Sequence, residues 1–135
     1  IVLGADALDL ATHPARDRVT LVNTVPSAAR ALLGARALPA SVRVVNLAGE
    51  PLAPELVDAL YDTGTVRDVH DLYGPSEDTT YSTWIRREAG GPATIGRPID
   101  DTEAFVLDAA GEPVPLGVPG ELYLGGTGVT RGYWR

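Results

Sequence analysis

Within the stretch DLYGPSEDTTYST, residues 71–83, an aromatic ring, a hydroxyl and a carboxylate (Tyr73, Ser76 and Glu77) fall within five residues. A carboxylate is a hard oxygen ligand of the kind Mg²⁺ takes one or two of, completing its shell with water and phosphate. A hydroxyl donates to phosphate oxygen, and a tyrosine ring stacks on a purine. The same residues also fit plainer roles. Gly74-Pro75-Ser76 is a turn signal, Tyr73 suits the edge of a core, and a lone glutamate is ordinarily solvated. A second stretch, Ala48-Gly49-Glu50-Pro51, is a loop in which glycine permits close approach of backbone to a flat ligand. Taken singly, these residues leave both roles open.

The elements around them favour a site. Residues 19–22 (VTLV), 42–47 (VRVVNL) and 66–72 (VRDVHDL) read as buried strands. On the third, Val66, Asp68, His70 and Leu72 share one face and Arg67, Val69 and Asp71 the other. Between the strands, Pro26 or Ser27 starts a helix that Gly34 closes. Pro54 starts a second, with Leu56, Val57 and Leu60 on one face and Gly64 at its end. Strand, helix, strand, helix, strand is the pattern of βαβ units in a parallel sheet. Its strand ends, near Asn23, near residues 46–49 and near residues 72–74, then line one crevice, which is where ligands sit in open α/β sheets. From residue 76 onward glycine and proline recur, with short strands expected at 80–85, 103–107 and 121–124 and a hairpin turn at 108–111. The expected fold is thus α/β: a parallel half over residues 1–75, then an antiparallel, distorted-barrel-like β segment over 76–135.

Composition excludes several functions. The net charge is −7, from 18 acidic and 11 basic residues, with no basic cluster to bind nucleic acid. Every basic residue is arginine, which removes the phosphate-loop lysine of GxxxxGK[ST]. Cysteine is absent, so there is no disulfide framework and no thiolate chemistry. No run approaches the roughly 20 apolar residues that span a bilayer, and no signal segment opens the chain; a cytoplasmic protein is expected. His13 and His70 lack companions at metal-ligand spacing and read as structural. Asp100-Asp101 reads as a solvated loop, and Gly125-Gly126-Thr127-Gly128, with no helix pattern after it, as a turn or bulge. The opening Ile1-Val2-Leu3, strand-like, and the closing Tyr133-Trp134-Arg135 read as cuts within a longer protein.

Five stretches in order, VNTVPSA, NLAGEPL, DLYGPSED, TIGRPI and GELYLGGTGVTRGYWR, give the chain a resemblance to the adenylation domains of nonribosomal peptide synthetases. These belong to the adenylate-forming superfamily, and the resemblance covers essentially the whole chain, as part of the large N-terminal subdomain. It implies that Gly49, Glu50 and Pro51 lie along adenine, that Asp71 accepts from the adenine amino group, and that Tyr73 stacks on the ring. Ser76 corresponds to the hydroxyl near the α-phosphate and Glu77 to the Mg²⁺ carboxylate. These two are the implied catalytic residues. Asp78, beside Glu77, is expected to point away from it. The implied substrate pocket is Asn23, Asn46, Ala48, Leu72, Thr80 and Tyr81. It carries no charge and is narrowed by Tyr81 and Leu72, which points to a small neutral amino acid; the combination resembles pockets associated with alanine.

The implied cofactors are ATP and Mg²⁺, with phosphopantetheine on a partner carrier domain. The implied partners are the amino acid, a peptidyl carrier protein domain and neighbouring modules such as condensation domains. An acyl- or aryl-CoA synthetase and a non-catalytic nucleotide-binding module are the alternatives. The resemblance also puts the phosphate loop and the amino-group aspartate upstream, and the ribose-binding aspartate and catalytic lysine downstream. The isolated 135 residues are therefore expected to be inactive, and amino-acid-dependent ATP–pyrophosphate exchange by them alone would refute this.

Overall fold

In the computed structural model, residues 6–134 are described; the strand expected at Ile1-Val2-Leu3 lies outside them. Two short 3₁₀ helices, Ala7–Ala11 and Arg16–Arg18, lead into β1 (Leu21–Thr24). Then follow α1 (Pro26–Gly34), β2 (Val44–Ala48), α2 (Pro54–Tyr61) and β3 (Asp68–Tyr73). The chain continues through β4 (Thr83–Arg87), β5 (Arg97–Pro98), β6 (Thr102–Leu107) and β7 (Glu121–Gly126).

β1 to β5 form one sheet in sequence order, parallel from β1 to β3 and antiparallel from β3 to β5. The expected parallel half is present, and the antiparallel strands extend it. β6 and β7 pair with each other as a separate two-stranded sheet, so there is no closed barrel among the described residues. The 108–111 turn forms: Asp108 Oδ1 accepts from the Ala110 and Glu112 amides, and the Gly111 amide donates to the Asp108 carbonyl.

Pleating divides the sheet. Val22, Val45, Leu47 and Val69 face the helices, where they meet Ala29 of α1 and Leu56, Val57 and Leu60 of α2 in one buried cluster. Burying one such aliphatic side chain contributes about 1.5–3 kcal/mol. Residues alternating with these, Asn23, Asn46, His70 and Trp84, lie on the other face and keep more exposure. There Trp84 Nε1 donates to His70 Nδ1 at 3.0 Å, with the rings edge to face. His13 Nδ1 accepts from the Ala15 amide at 3.1 Å. Both histidine rings thus accept a hydrogen bond within the protein.

The strands start later than propensity suggests. β1 begins at Leu21 rather than Val19, β2 at Val44 rather than Val42, and β3 at Asp68 rather than Val66. The ladder is set by which residues find partners: Leu21 pairs with Val44, and Val44 with Asp68. The β-branched residues before it make loop hydrogen bonds instead, such as the Val19 amide to the Arg16 carbonyl and the Val42 amide to the Pro39 carbonyl. Similarly β4 starts at Thr83, not Thr80, because Thr80 takes φ +65° and breaks the extended chain.

Both helices begin with proline at the first turn and lack a side-chain cap on their own N-cap residues. For α1 the cap comes from a distant loop. The Ser27 amide donates to Glu50 Oε2 at 2.9 Å and the Ser27 hydroxyl to Glu50 Oε1 at 2.7 Å. A carboxylate at a helix N-terminus meets unpaired amides and the positive end of the helix dipole. That contact fastens the β2 exit loop to α1.

Leu60 is fully buried in the core cluster. Leu60→Ala is expected to cost about 2–5 kcal/mol, read as a lowered urea midpoint at unchanged slope.

Candidate functional site

Two clefts open at the C-terminal ends of the parallel strands. The larger, about 490 Å³, is lined by Gly49, Glu50, Pro51, Leu52, Asp71, Leu72, Tyr73, Gly74, Arg87, Ala93, Thr94 and Ile95. That volume suits a small-molecule or cofactor site. The smaller, about 430 Å³, is bounded by Asn23, Thr24, Val25, Ala48, Gly49, Gly74, Thr80 and Tyr81. Gly49 and Gly74 belong to both.

The strand exits explain this arrangement. In-register parallel pairing matches Asn23 with Asn46 and His70, and Ala48 with Leu72. Side chains that alternate along β3 send Asp71 towards the helix side and Leu72 to the other. Gly49, just past β2, takes φ +83°, a conformation that side-chain-bearing residues avoid, and so turns its backbone into both clefts. At Gly74 the requirement is space. A Cβ there would lie 2.7 Å from the Thr80 carbonyl oxygen and 2.8 Å from Tyr81 Cα. The bare backbone lets the 80–82 segment fold back against it, sealed by the Ser82 amide to the Tyr73 carbonyl at 2.7 Å.

Of the nucleotide residues expected from sequence, Gly49, Glu50, Pro51, Asp71 and Tyr73 all line the larger cleft. Tyr73 keeps 37% exposure, so its ring is not core. Glu50 does more than line the cleft, since both its carboxylate oxygens hold Ser27. Asp71 is buried, and its Oδ2 accepts from Arg87 Nη1 at 2.8 Å. Burial pushes the Asp71 carboxyl above the usual carboxylate range, while the Arg87 hydrogen bond and charge pull it partway back.

Ser76 and Glu77 lie on the exposed loop after Gly74, in neither cleft wall. Glu77 Oε1 accepts from the Tyr133 hydroxyl at 2.9 Å. That bond, with the carboxylate's charge, raises the Tyr133 phenol above its ordinary value. The Thr130 amide donates to the Glu77 carbonyl at 2.8 Å. Asp78 turns the other way into a buried seam, bridging Val129, with both carboxylate oxygens lacking a hydrogen-bond partner. Thr79 binds the Gly128 carbonyl through its amide and its hydroxyl. The glycine-rich 125–128 segment is therefore a brace under the 77–79 loop. No group of three or more His, Cys, Asp or Glu among the described residues could hold a metal ion by itself.

Of the expected substrate pocket, Asn23, Ala48, Thr80 and Tyr81 line the smaller cleft, Leu72 lines the larger, and Asn46 lines neither. Asn23 and Tyr81 close on each other: the amide Nδ2 donates to the hydroxyl at 3.1 Å, and the hydroxyl lies 3.2 Å from Oδ1. Thr80 holds its positive φ at this wall. Strained residues of this kind cluster at ligand sites.

Sequence reasoning missed Arg87 and the loop at 93–95. That loop is held over the larger cleft by the Thr83 hydroxyl, which donates to the Ile95 carbonyl at 2.6 Å. The TIGRPI stretch is the one sequence signal that points there.

The arrangement defines an open α/β sheet with a ligand crevice at its strand exits. Residues 3–134 match the AMP-binding enzyme family, and the chain belongs to that family. It is 58% identical over 137 residues to one of the linear gramicidin synthase proteins of Brevibacillus parabrevis, a match that covers 100% of this chain and 3% of that protein. It is 50% identical over 129 residues to the AMB antimetabolite synthetase AmbB of Pseudomonas aeruginosa, covering 93% of this chain and 10% of that one. Among solved structures, a four-domain nonribosomal peptide synthetase bound to AMP and glycine superposes with a TM-score of 0.82 at 29% identity, over 96% of this chain and 10% of the other. The chain thus spans a small fraction of the proteins it matches. The fold is that of the adenylation-domain structures, and no helix among the described residues is long and apolar enough to cross a membrane.

Gly74→Ala is expected to push the 80–82 segment off Tyr73, at a cost of about 1–3 kcal/mol. It should lower the melting temperature and weaken nucleotide binding together; an unchanged Kd for AMP would separate Gly74 from the site.

Proposed function

We propose that this chain is one piece of a single amino-acid-adenylating domain, its larger cleft holding the adenine of ATP and its smaller cleft the substrate side chain. The observation that carries this reading is the meeting of the two clefts at Gly49 and Gly74. A nucleotide in one and a carboxylic acid in the other bring their reactive ends to the same backbone, where close approach is possible because neither residue has a side chain.

In this reading Tyr73 stacks on the purine, the 49–51 backbone lies along it, and Asp71 accepts from the exocyclic amino group. Ser76 donates to an α-phosphate oxygen. The substrate carboxylate attacks the α-phosphorus and pyrophosphate leaves; the phosphopantetheine thiol of a carrier domain then attacks the aminoacyl carbonyl, forming the thioester and releasing AMP. Mg²⁺, when bound, neutralises phosphate charge. Glu77, exposed on its loop, fits a cation that takes few protein carboxylates and completes its shell from phosphate and water. Tyr133 steadies that carboxylate. Catalysis by these residues rests on positioning and charge neutralisation. A cytoplasmic enzyme working beside carrier and condensation domains fits this role.

The smaller cleft has no charged residue in its wall. A charged substrate side chain would be buried there without a partner, at a cost of several kcal/mol. The Asn23–Tyr81 contact also narrows the space. Both features support a small neutral substrate, with alanine as the specific choice.

The complete adenylation domain is expected to catalyse ATP–pyrophosphate exchange most strongly with alanine and other small neutral amino acids. Tyr73→Ala should raise the KM for ATP about tenfold, from loss of about 1–1.5 kcal/mol of aromatic stacking, with less effect on the amino-acid KM. Exchange driven by aromatic or charged amino acids alone would overturn the pocket assignment. Exchange with carboxylic acids lacking an α-amino group would move the domain to the CoA-ligase branch.

A further inference from the structure

The walls of the two clefts are tied together by a carboxylate that takes no part in the proposed chemistry. Asn23, Thr24 and Val25 form the β1 side of the smaller cleft, and residues 49–51 form the β2 side of the larger one. Strand pairing does not hold these two exits together, because the β1–β2 ladder ends at Thr24 and Leu47. Beyond it, Val25 Cγ1 lies 3.6 Å from where a Cβ on Gly49 would stand, a van der Waals contact without direction. The directional contact comes from Glu50. Its Oε2 accepts from the Ser27 amide at 2.9 Å, and its Oε1 accepts from the Ser27 hydroxyl at 2.7 Å.

A carboxylate in the wall of a cleft that takes a polyphosphate is out of keeping with the charge of that ligand. Its partner explains why it is there. Helix α1 has no acidic residue in its first turn and no side-chain cap from Val25, so its N-terminus is open to an anion. A serine or aspartate at the N-cap position would satisfy that need locally. The cap comes instead from 23 residues away, out of the loop between the clefts, and it grips the residue two places past Val25. Two charge-assisted bonds to one residue fix orientation as well as distance. A shift of either wall is thereby passed to the other.

We propose that Glu50 is a positioning residue that couples the clefts: through its clasp on Ser27, a bound amino acid strengthens nucleotide binding, and a bound nucleotide strengthens amino-acid binding. The proposal rests on the two-cleft reading above. With the clasp closed, the 23–25 and 49–51 walls are held in one arrangement; with it open, they move independently. A ligand in either cleft favours the closed state, because it touches a wall that the clasp sets. The second ligand then meets a wall already in place, so the ordering is done once for both. Coupling of this kind is reciprocal and typically changes affinity about 5–150-fold.

The test is the coupling factor, the alanine Kd without α,β-methylene-ATP divided by the Kd at saturation with it, measured by calorimetry on the complete adenylation domain. The methylene bridge blocks cleavage at the α-phosphorus, so no adenylate forms. The wild type should show a factor of about ten, and the same factor when alanine is the saturating ligand. Glu50→Gln removes the charge and one acceptor, and should bring the factor to about two or below. Ser27→Ala should lower it by about threefold, and Ser27→Thr, which keeps the hydroxyl, should preserve it. The double variant should fall no further than Glu50→Gln, since both changes break one contact. Leu32→Ala separates coupling from helix stability. Leu32 is a buried residue of α1, so this variant should lose thermal stability and keep the wild-type factor. An unchanged factor in Glu50→Gln and Ser27→Ala overturns the proposal, as does a Leu32→Ala factor as low as theirs. If Glu50→Gln does not fold, Ser27→Ala decides. A wild type that binds both ligands without coupling sinks the proposal alone, whereas one that binds neither sinks the two-cleft reading with it.

Discussion

Everything at the site follows from the in-register parallel pairing of β1, β2 and β3. Parallel strands joined by helices end on the same edge, so three loops that are distant in sequence open side by side. The alternation of side chains along each strand then sorts neighbours onto opposite faces of the sheet. Asp71 and Leu72 are adjacent in the chain, yet one faces the helix side and the other the open side. A one-residue slip of β3 would exchange the two sets and bring an aliphatic side chain to the buried arginine. Val69 in the core cluster prevents this, since the same slip would expose it. Burial of apolar residues and delivery of polar ones are thus enforced by the same register.

Much of this was legible in the sequence because the βαβ pattern is a local signal repeated. Helix α1 could be read from Pro26 to Gly34, since proline and glycine punctuate it. The strand starts were not legible. Val19 and Val42 have the right propensity but lie before the ladder, and pairing decides the boundary, not propensity. The residues flanking Gly49 and Tyr73 could be found because glycine, proline and an aromatic stand out at a strand exit. Arg87 could not. In WIRRE it reads as a surface charge, and only a partner 16 residues away on the next strand makes it a buried one. Glu50 shows the same limit: nothing local indicates that its carboxylate caps a helix 23 residues upstream.

Buried polar groups without partners are few among the described residues. Arg87, Asp78, Ser82 and Asn46 all carry buried side-chain atoms lacking a hydrogen bond. A stability-optimised interior avoids such groups, each costing about 1–3 kcal/mol. Asp78 and Ser82 flank the turn at Thr80, Asn46 sits within β2, and Arg87 ends β4 opposite Val69. The helix-covered core, by contrast, is wholly aliphatic apart from its edges.

The brace beneath the 77–79 loop carries a consequence for biosynthesis. Thr79 and Gly128, which it joins, are 49 residues apart. At about 5–20 residues per second, the ribosome delivers Gly128 roughly 2–10 s after Thr79. Elements β1 to β3 and their helices are complete in the nascent chain well before that. The strand-exit crevice is therefore in place first, and the 77–79 loop gains its brace only once residues 128–133 have emerged.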